Sequence, residues 1–258
     1  MTTVRLELDG AVARVTLDRP AQFNAISPEL LGDLDAVCAT IEQEPGVKAV
    51  ALTGAGRGFC AGADLTVVQT LARDPDRWSD FMRSWHRVFT RIERLPVPVV
   101  AGVHGLALAG GLELTLVCDL VVADEDAKLG DQHANFSLVA GGGGSQRLPR
   151  LIGARRAKEL MLLGGWLTAH EALAWGLVNR VAPRGTTEAV TLGLARELAG
   201  KSAAASGTVK LLVDRGLDLD LRTGLELELR KVAEHMRTDD AAAGLRAFMA
   251  RSRRKETS

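Results

Sequence analysis

The chain has 258 residues, enough for one large domain or a domain with a modest appendage, and its 47% hydrophobic and 25% charged content suits a folded globular protein. Thirty-two Lys and Arg balance thirty-two Asp and Glu, so the charge points to neither a nucleic-acid nor an anionic-membrane partner. Tyrosine is absent, which removes a tyrosine acid or nucleophile, and no signal-like N-terminal stretch or long uncharged apolar run occurs, so a soluble cytoplasmic chain is expected.

Val4, Leu6 and Leu8 alternate with polar residues, and Asp9-Gly10 separates them from Val12 to Leu17, which predicts a β-hairpin. Ser27-Pro28-Glu29 is a helix start: an N-cap, a proline at the first helical position, and an acid near the positive helix end. Leu30, Leu31, Leu34, Val37, Cys38 and Ile41 then recur at helical spacing. Val47 to Thr53, Val97 to Val103 and Asp119 to Ala123 read as buried strands alternating with helical patterns, hence crossover units around a parallel or mixed sheet. After Gly164, apart from an extended stretch at 177–181, the chain reads as helices rich in Ala, Leu and Arg. The expected division is an α/β core over 1–195 and a helical region over 196–258.

Two glycine-bearing segments carry the chemistry. In Gly54-Ala-Gly-Arg-Gly-Phe-Cys-Ala-Gly-Ala-Asp-Leu65 a strand enters a bend where small side chains let a ligand approach backbone N–H groups, and Asp64 has the composition of an N-cap. It is neither a dinucleotide fingerprint nor a phosphate loop, and a plain strand-to-helix turn is equally compatible. In the second, Ala109-Gly110-Gly111 follows a strand and opens a helix, which puts the Gly110 N–H at a helix N-terminus that favours negative charge. Glu113 lies one turn on among Leu112, Leu114, Leu116 and Val117, where a carboxylate is costly to bury without a partner or a use. A first-turn glutamate that serves only the helix dipole is the other reading.

Six motifs in order then resemble one family. Asp18-Arg-Pro with Asn24-Ala25, Phe59-Cys-Ala-Gly-Ala-Asp-Leu65, Pro98-Val-Val-Ala-Gly-Val-His-Gly105, Ala109-Gly-Gly-Leu-Glu-Leu114, Gly142-Gly-Gly-Ser-Gln-Arg-Leu148 and Glu171-Ala with Gly176-Leu-Val178 resemble the enoyl-CoA hydratase/isomerase (crotonase) superfamily along nearly the whole chain. The resemblance implies a ClpP/crotonase-like spiral of ββα units, with C-terminal helices that build homotrimers, often paired into hexamers. It also implies an acyl-CoA thioester as substrate, held as an enolate by two backbone N–H groups that fall here on Ala63 and Gly110. Such preorganised donors are worth about 3–4 kcal/mol each. Ala61, Asp64, Leu65 and Gly111 would line the coenzyme A path. No metal or other cofactor is implied, because the coenzyme A thioester is itself the substrate.

Hydratases of the family use two glutamates about twenty positions apart. Glu113 aligns with the first, but the second position is His133, in Gly130-Asp-Gln-His-Ala-Asn135, and Ala140 replaces the proline before the glycine run. A cationic His133 near Glu113 is expected to depress the carboxylate pKa and keep it ionised as a base. The resulting expectation is a hydratase-type lyase with Glu113 as principal base and His133 as auxiliary acid/base. An enoyl-CoA double-bond isomerase and a non-catalytic acyl-CoA-binding protein are the alternatives.

The remaining candidates are weaker. His86 resembles by spacing the catalytic histidine of the 4-chlorobenzoyl-CoA dehalogenase branch, but Gly141 occupies the position of that branch's aspartate nucleophile, so His86 is read as a residue near the acyl pocket or a packing residue. His104 is given a structural role, and His170 and His235 are not metal ligands. The three cysteines read as small core residues rather than nucleophiles. Ser145 lacks a nucleophile elbow. Trp78, Phe81, Met82 and Trp85 either bound the acyl pocket or close the core. The basic tail Arg251, Arg253, Arg254 and Lys255 is a solvated end or a contact for the coenzyme A phosphates.

Overall fold

The computed structural model describes residues 2–255, with side chains to 250. The chain opens with the antiparallel hairpin of Val4–Asp9 (β1) and Val12–Leu17 (β2), in which Asp9 pairs with Val12 and Gly10 takes a left-handed φ of 59°. Helix Pro28–Gln43 (α1) follows, its N-cap Ser27 accepting from Leu30 N–H and all six predicted apolar positions buried. Ala49–Gly54 (β3) pairs parallel with β2. Leu65–Leu71 (α2) and Pro75–Glu93 (α3) lead to Val99–Val103 (β4).

From there a strand–strand–helix unit repeats. Strand β4 is followed by Leu106–Leu108 (β5) and Gly110–Thr115 (α4). Leu120–Asp124 (β6) is followed by Lys128–Gly130 (β7), and after a loop by Gly144–Ile152 (α5) and Ala154–Leu163 (α6). Trp166–Thr168 (β8), Ala169–Trp175 (α7) and Arg180–Ala182 (β9) complete the sheets. The first strand of each unit joins a six-stranded sheet in the order β1-β2-β3-β4-β6-β9, and the second joins a three-stranded sheet β5-β7-β8. The repeat matches the expected spiral. The three-residue strands of the small sheet are absent from the sequence reading.

Helices cover both faces of the large sheet, which explains why its central strands are apolar throughout. Along β3, Val50 and Leu52 enter the main core with α1 and α3, whereas Ala49 and Ala51 face a second core with Leu194 and Ala195 of Thr187–Ala199 (α8). Ala203–Gly216 (α9), Leu221–His235 (α10) and Asp239–Lys255 (α11) finish the chain. Lys210 anchors α9 to the core: it is 8% exposed, and its Nζ lies 2.6 Å from Asp119 Oδ2. The side chains of Arg251, Arg253, Arg254 and Lys255 lie outside the described residues. Among the described residues, no helix is long and apolar enough to cross a membrane.

Candidate active site

The Gly54–Leu65 segment is shaped by residues far from it. Asn24, fully buried in the left-handed region at φ 56°, donates through Nδ2 to the carbonyls of Ala55, Gly58 and Phe59, while its Oδ1 accepts from Arg19 N–H. Arg19 also pairs with Asp64 at 2.9 Å, and Asp64 caps α2 by accepting from Thr66 N–H. The Asp18-Arg-Pro and Asn24-Ala25 motif therefore braces the loop.

Within that loop Ala63 forms a parallel bridge with Ile26, made by Ile26 N–H to Gly62 O at 2.7 Å and Asp64 N–H to Ile26 O at 2.9 Å. In a parallel bridge of this register the bonds use the flanking residues, so the Ala63 N–H turns away from Ile26. Gly62, at φ 90°, brings the second segment against it: a Cβ there would lie 2.9 Å from Leu108 O and 3.1 Å from Gly110 N. Ala109 takes φ 50° and ψ −113°, a conformation disfavoured for an L-residue, and thereby aims Gly110 as the first residue of α4. As the first helical residue, Gly110 has no intrahelical acceptor for its N–H. A Cβ on Gly111 would meet Cys60 O at 2.1 Å, so only glycine lets α4 pack this closely on the loop. The two predicted donors thus share one wall. Ala61 and Asp64 stand partly exposed beside them, and Leu65 is 70% exposed.

Glu113 points from α4 into a closed environment at 2% exposure. Its Oε1 accepts from Gly144 N–H at 2.7 Å, a length typical of a charge-assisted bond, at the N-terminus of α5. Burial pushes its carboxyl from 4.5 up to about 7, against the lowering effects of the Gly144 N–H and of His133. The expectation that His133 leaves the Glu113 pKa depressed is therefore corrected: the histidine acts in that direction, but desolvation outweighs it.

His133 begins the 3-10 turn His133–Phe136. Its Nδ1 lies 3.1 Å from Oδ1 of Asp131, itself only 2% exposed. Burial works against protonating the ring, but Asp131 and Glu113 together lift its pKa above 6.5. The Asp131-x-His133 spacing is visible in the sequence, yet only the fold reveals that the carboxylate is buried against the ring.

Trp85 closes the site from α3. A Cβ on Gly110 would strike its six-membered ring at 2.5 Å, and a Cβ on Gly142 would lie 2.6 Å from its Nε1 and 2.5 Å from Glu113 Oε2. Phe81 and Phe89 flank it at centroid distances of 5.5 and 5.6 Å. The aromatic stripe therefore closes the core, and its Trp85 also lies against the Gly142 turn beside Glu113. Gly141 abuts Met82, with a Cβ there 2.9 Å from the Met82 methyl. Arg147 staples this wall, binding Glu93 of α3 through Nε at 2.9 Å and Nη2 at 2.8 Å.

Other candidates fall away from this centre. His86 is exposed on α3 in an open groove with Asp35 and Arg91 and is not packed in the core, because it lies about 100° around the helix from the buried Trp85. His104 serves the structure through a 3.0 Å bond to Gly56 O. Burial pushes the thiols of Cys38 and Cys60 up to about 12 and that of Cys118 in the same direction, so none is a nucleophile near neutrality. Among the described residues, no group of three or more His, Cys, Asp and Glu is placed to hold a metal ion.

Comparison with known proteins agrees with this geometry. Residues 7–256 match the family model for enoyl-CoA hydratase/isomerase. The short-chain-enoyl-CoA hydratase of Clostridium acetobutylicum is 35% identical over 96% of this chain and 95% of its own length. The crystal structure of enoyl-CoA hydratase from Bacillus anthracis superimposes with a TM-score of 0.92 at 35% identity, covering 96% of each chain. That of the Mycobacterium smegmatis enoyl-CoA hydratase gives 0.90 at 30% identity, again over 96% of each. With the ββα spiral, the braced glycine turns and the buried Glu113 already in place, the chain belongs to the enoyl-CoA hydratase/isomerase family and has the crotonase fold.

Proposed function

We propose that this protein is an enoyl-CoA hydratase-type lyase that adds water across the α,β double bond of an acyl-CoA thioester. The observation that carries the reading is the buried Glu113, which sits on the helix that Gly110 opens and is held by the Gly144 N–H, with the Ala63 turn packed against the start of that helix through Gly62. Ionised Glu113 takes a proton from water, and the hydroxyl adds to the β-carbon. The electron pair of the double bond moves onto the thioester oxygen, where the N–H groups of Ala63 and Gly110 stabilise the enolate. The newly protonated Glu113 delivers its proton to the α-carbon directly, or cationic His133 delivers its own and is reprotonated by Glu113; either way both groups return to their starting protonation states. Negative charge develops only on the thioester oxygen and is met by fixed dipoles, so this route needs no metal or separate cofactor. Ala61, Asp64, Leu65 and Gly111 border the coenzyme A path.

The replacement of a second glutamate by His133 favours one further reading, a double-bond isomerase in which one base shuttles a proton between the α- and γ-carbons. Purified protein with crotonyl-CoA in D₂O separates the two. Loss of the conjugated thioester absorbance with a β-hydroxy product supports hydration. Deuterium uptake without hydration selects the isomerase. Tight acyl-CoA binding with neither overturns both in favour of a binding protein.

Assembly follows from the C-terminal helices. Leu217, Leu221, Leu225 and Leu229 are between 54% and 79% exposed, an apolar surface suited to a second and third copy of this chain in a homotrimer or a hexamer built from trimers. Light scattering after size exclusion tests this, and a monomer at micromolar concentration contradicts it. A cytoplasmic location is part of the same reading, consistent with a soluble coenzyme A substrate.

A further inference from the structure

The proposed function gives His133 a proton-transfer role but leaves open what makes a histidine competent there. We propose that Asp131 is the positioning residue for His133: its buried carboxylate holds the Nδ1 side of the ring and leaves Nε2 as the nitrogen free to exchange protons next to Glu113. This inference rests on the hydratase reading of the same site and adds a residue to it.

The side chain of Asp131 is 3% exposed and that of His133 15%. Such a carboxylate requires a countercharge or donors. Among the described residues no Lys or Arg pairs with it. What faces it is His133 twice over: Nδ1 at 3.1 Å from Oδ1, and the His133 backbone N–H donating to the same oxygen at 3.3 Å. Nδ1 is buried and has no other partner, and its bent approach makes the contact electrostatic rather than a well-aligned hydrogen bond, an ion pair when the ring is protonated.

The turn carrying the dyad is pinned. Gln132 takes a left-handed φ of 61° and donates through Nε2 to Gly165 O at 3.2 Å, while Asn135 Nδ2 bonds Gly164 O at 2.9 Å and Gln132 Oε1 at 3.0 Å. These bonds fix the backbone from which the His133 ring and the Asp131 carboxylate meet. The ionisable groups acting on it are Asp131 from its own turn and Glu113 from α4; α6, which packs on the same turn, contributes no charge that acts on the ring. The lifted pKa of His133 agrees with this arrangement. An aspartate behind one imidazole nitrogen stabilises the cation and leaves the other nitrogen to exchange protons, the logic of acid–histidine pairs in general acid–base catalysis.

The test combines ¹⁵N NMR of the imidazoles with turnover of crotonyl-CoA, in wild type, Asp131→Asn, His133→Gln and the double variant. His133→Gln assigns the resonance. The dyad predicts that His133 titrates above 6.5 in wild type and drops by about one pH unit or more in Asp131→Asn. It also predicts that kcat falls about 10- to 100-fold with KM nearly constant, and that the double variant is no slower than His133→Gln alone. An unmoved His133 titration, or additive losses in the double variant, overturns the proposal. If Asp131→Asn does not fold, the wild-type titration decides alone, and a His133 pKa at or below 6.5 refutes the dyad. The NMR readout is independent of turnover, so an absent hydratase activity and an absent dyad give different results.

Discussion

The two walls of the site are built on different principles. On the Ala63–Gly110 side the useful groups are backbone amides, aimed by a parallel bridge at Ile26, by Asn24 bracing the glycine-rich loop, and by close packing that tolerates no Cβ at Gly111. On the Glu113 side they are ionisable side chains, whose protonation is set by burial and by one another. The first wall is fixed by backbone packing, so the two proposed donors depend on the turns that hold Ala63 and Gly110 together. The second depends on a few side chains, and it is there that this chain departs from the two-glutamate pattern. In the proposed function the first wall holds the thioester oxygen, and the second selects the reaction that follows.

The largest expected effect breaks the first wall. Gly111→Ala forces a methyl to within 2.1 Å of Cys60 O, a backbone atom that cannot swing aside. Destabilisation of about 3 kcal/mol or more and loss of activity should follow, measured by urea denaturation and turnover. A stable, active variant would mean that the two segments are not in this contact.

The second wall should fail differently, by losing chemistry without losing the fold. Glu113→Gln keeps an acceptor for Gly144 N–H but no base, and kcat should fall about 10²- to 10⁴-fold with acyl-CoA affinity within a few-fold of wild type. Its stability should reveal the cost of burying the charge. The folded carboxyl binds its proton more tightly than the unfolded one, so wild type loses stability as pH rises from 4.5 to about 7, by about 3 kcal/mol, and no further above that. Glu113→Gln should lack this loss, so the variant's relative stability climbs across that window. Parallel pH–stability curves would contradict the raised Glu113 pKa.

The same groups predict the pH dependence of activity. Glu113 must be ionised to act as the base, so kcat/KM should rise with an apparent pKa of about 7, and where cationic His133 supplies the α-proton the raised His133 pKa sets an opposing limb on which activity falls as the ring loses its proton. Removing His133 should abolish the alkaline limb and leave the acid one. The smallest effect is expected where the walls are tied together. Arg147→Met breaks the bidentate pair with Glu93 that holds α5 to α3, and should cost about 1–2 kcal/mol and a few-fold in kcat. No change in either would mean that the Gly142–Gly144 turn keeps its place without the staple.

What could be read from the sequence follows the same division. The start and the buried face of helix α1 were legible, because Ser27-Pro28 marks its first turn and its apolar positions repeat at helical spacing. The hairpin was legible from alternation around Gly10. Strands β5, β7 and β8 were not: three residues are too few to show a period, and these exist only through pairing with distant segments. The positions of Ala63, Gly110 and Glu113 followed from motifs, whereas the positive φ of Ala109 and the bracing by Asn24 come from tertiary packing that no local pattern encodes. The role of Asp131 was hidden for a related reason. An aspartate beside Gly130 resembles an ordinary turn residue until the fold buries it against His133.

The measurement that tests the central claim most directly is hydration of crotonyl-CoA by wild type and Glu113→Gln side by side, with acyl-CoA affinity measured calorimetrically on the same samples. Wild type should form the β-hydroxy product, and the variant should bind thioester with similar affinity but lose at least about a hundredfold in kcat. Equal rates in the two proteins, or no product from wild type across a panel of unsaturated thioesters, would contradict the assignment of Glu113 as the base of a hydratase.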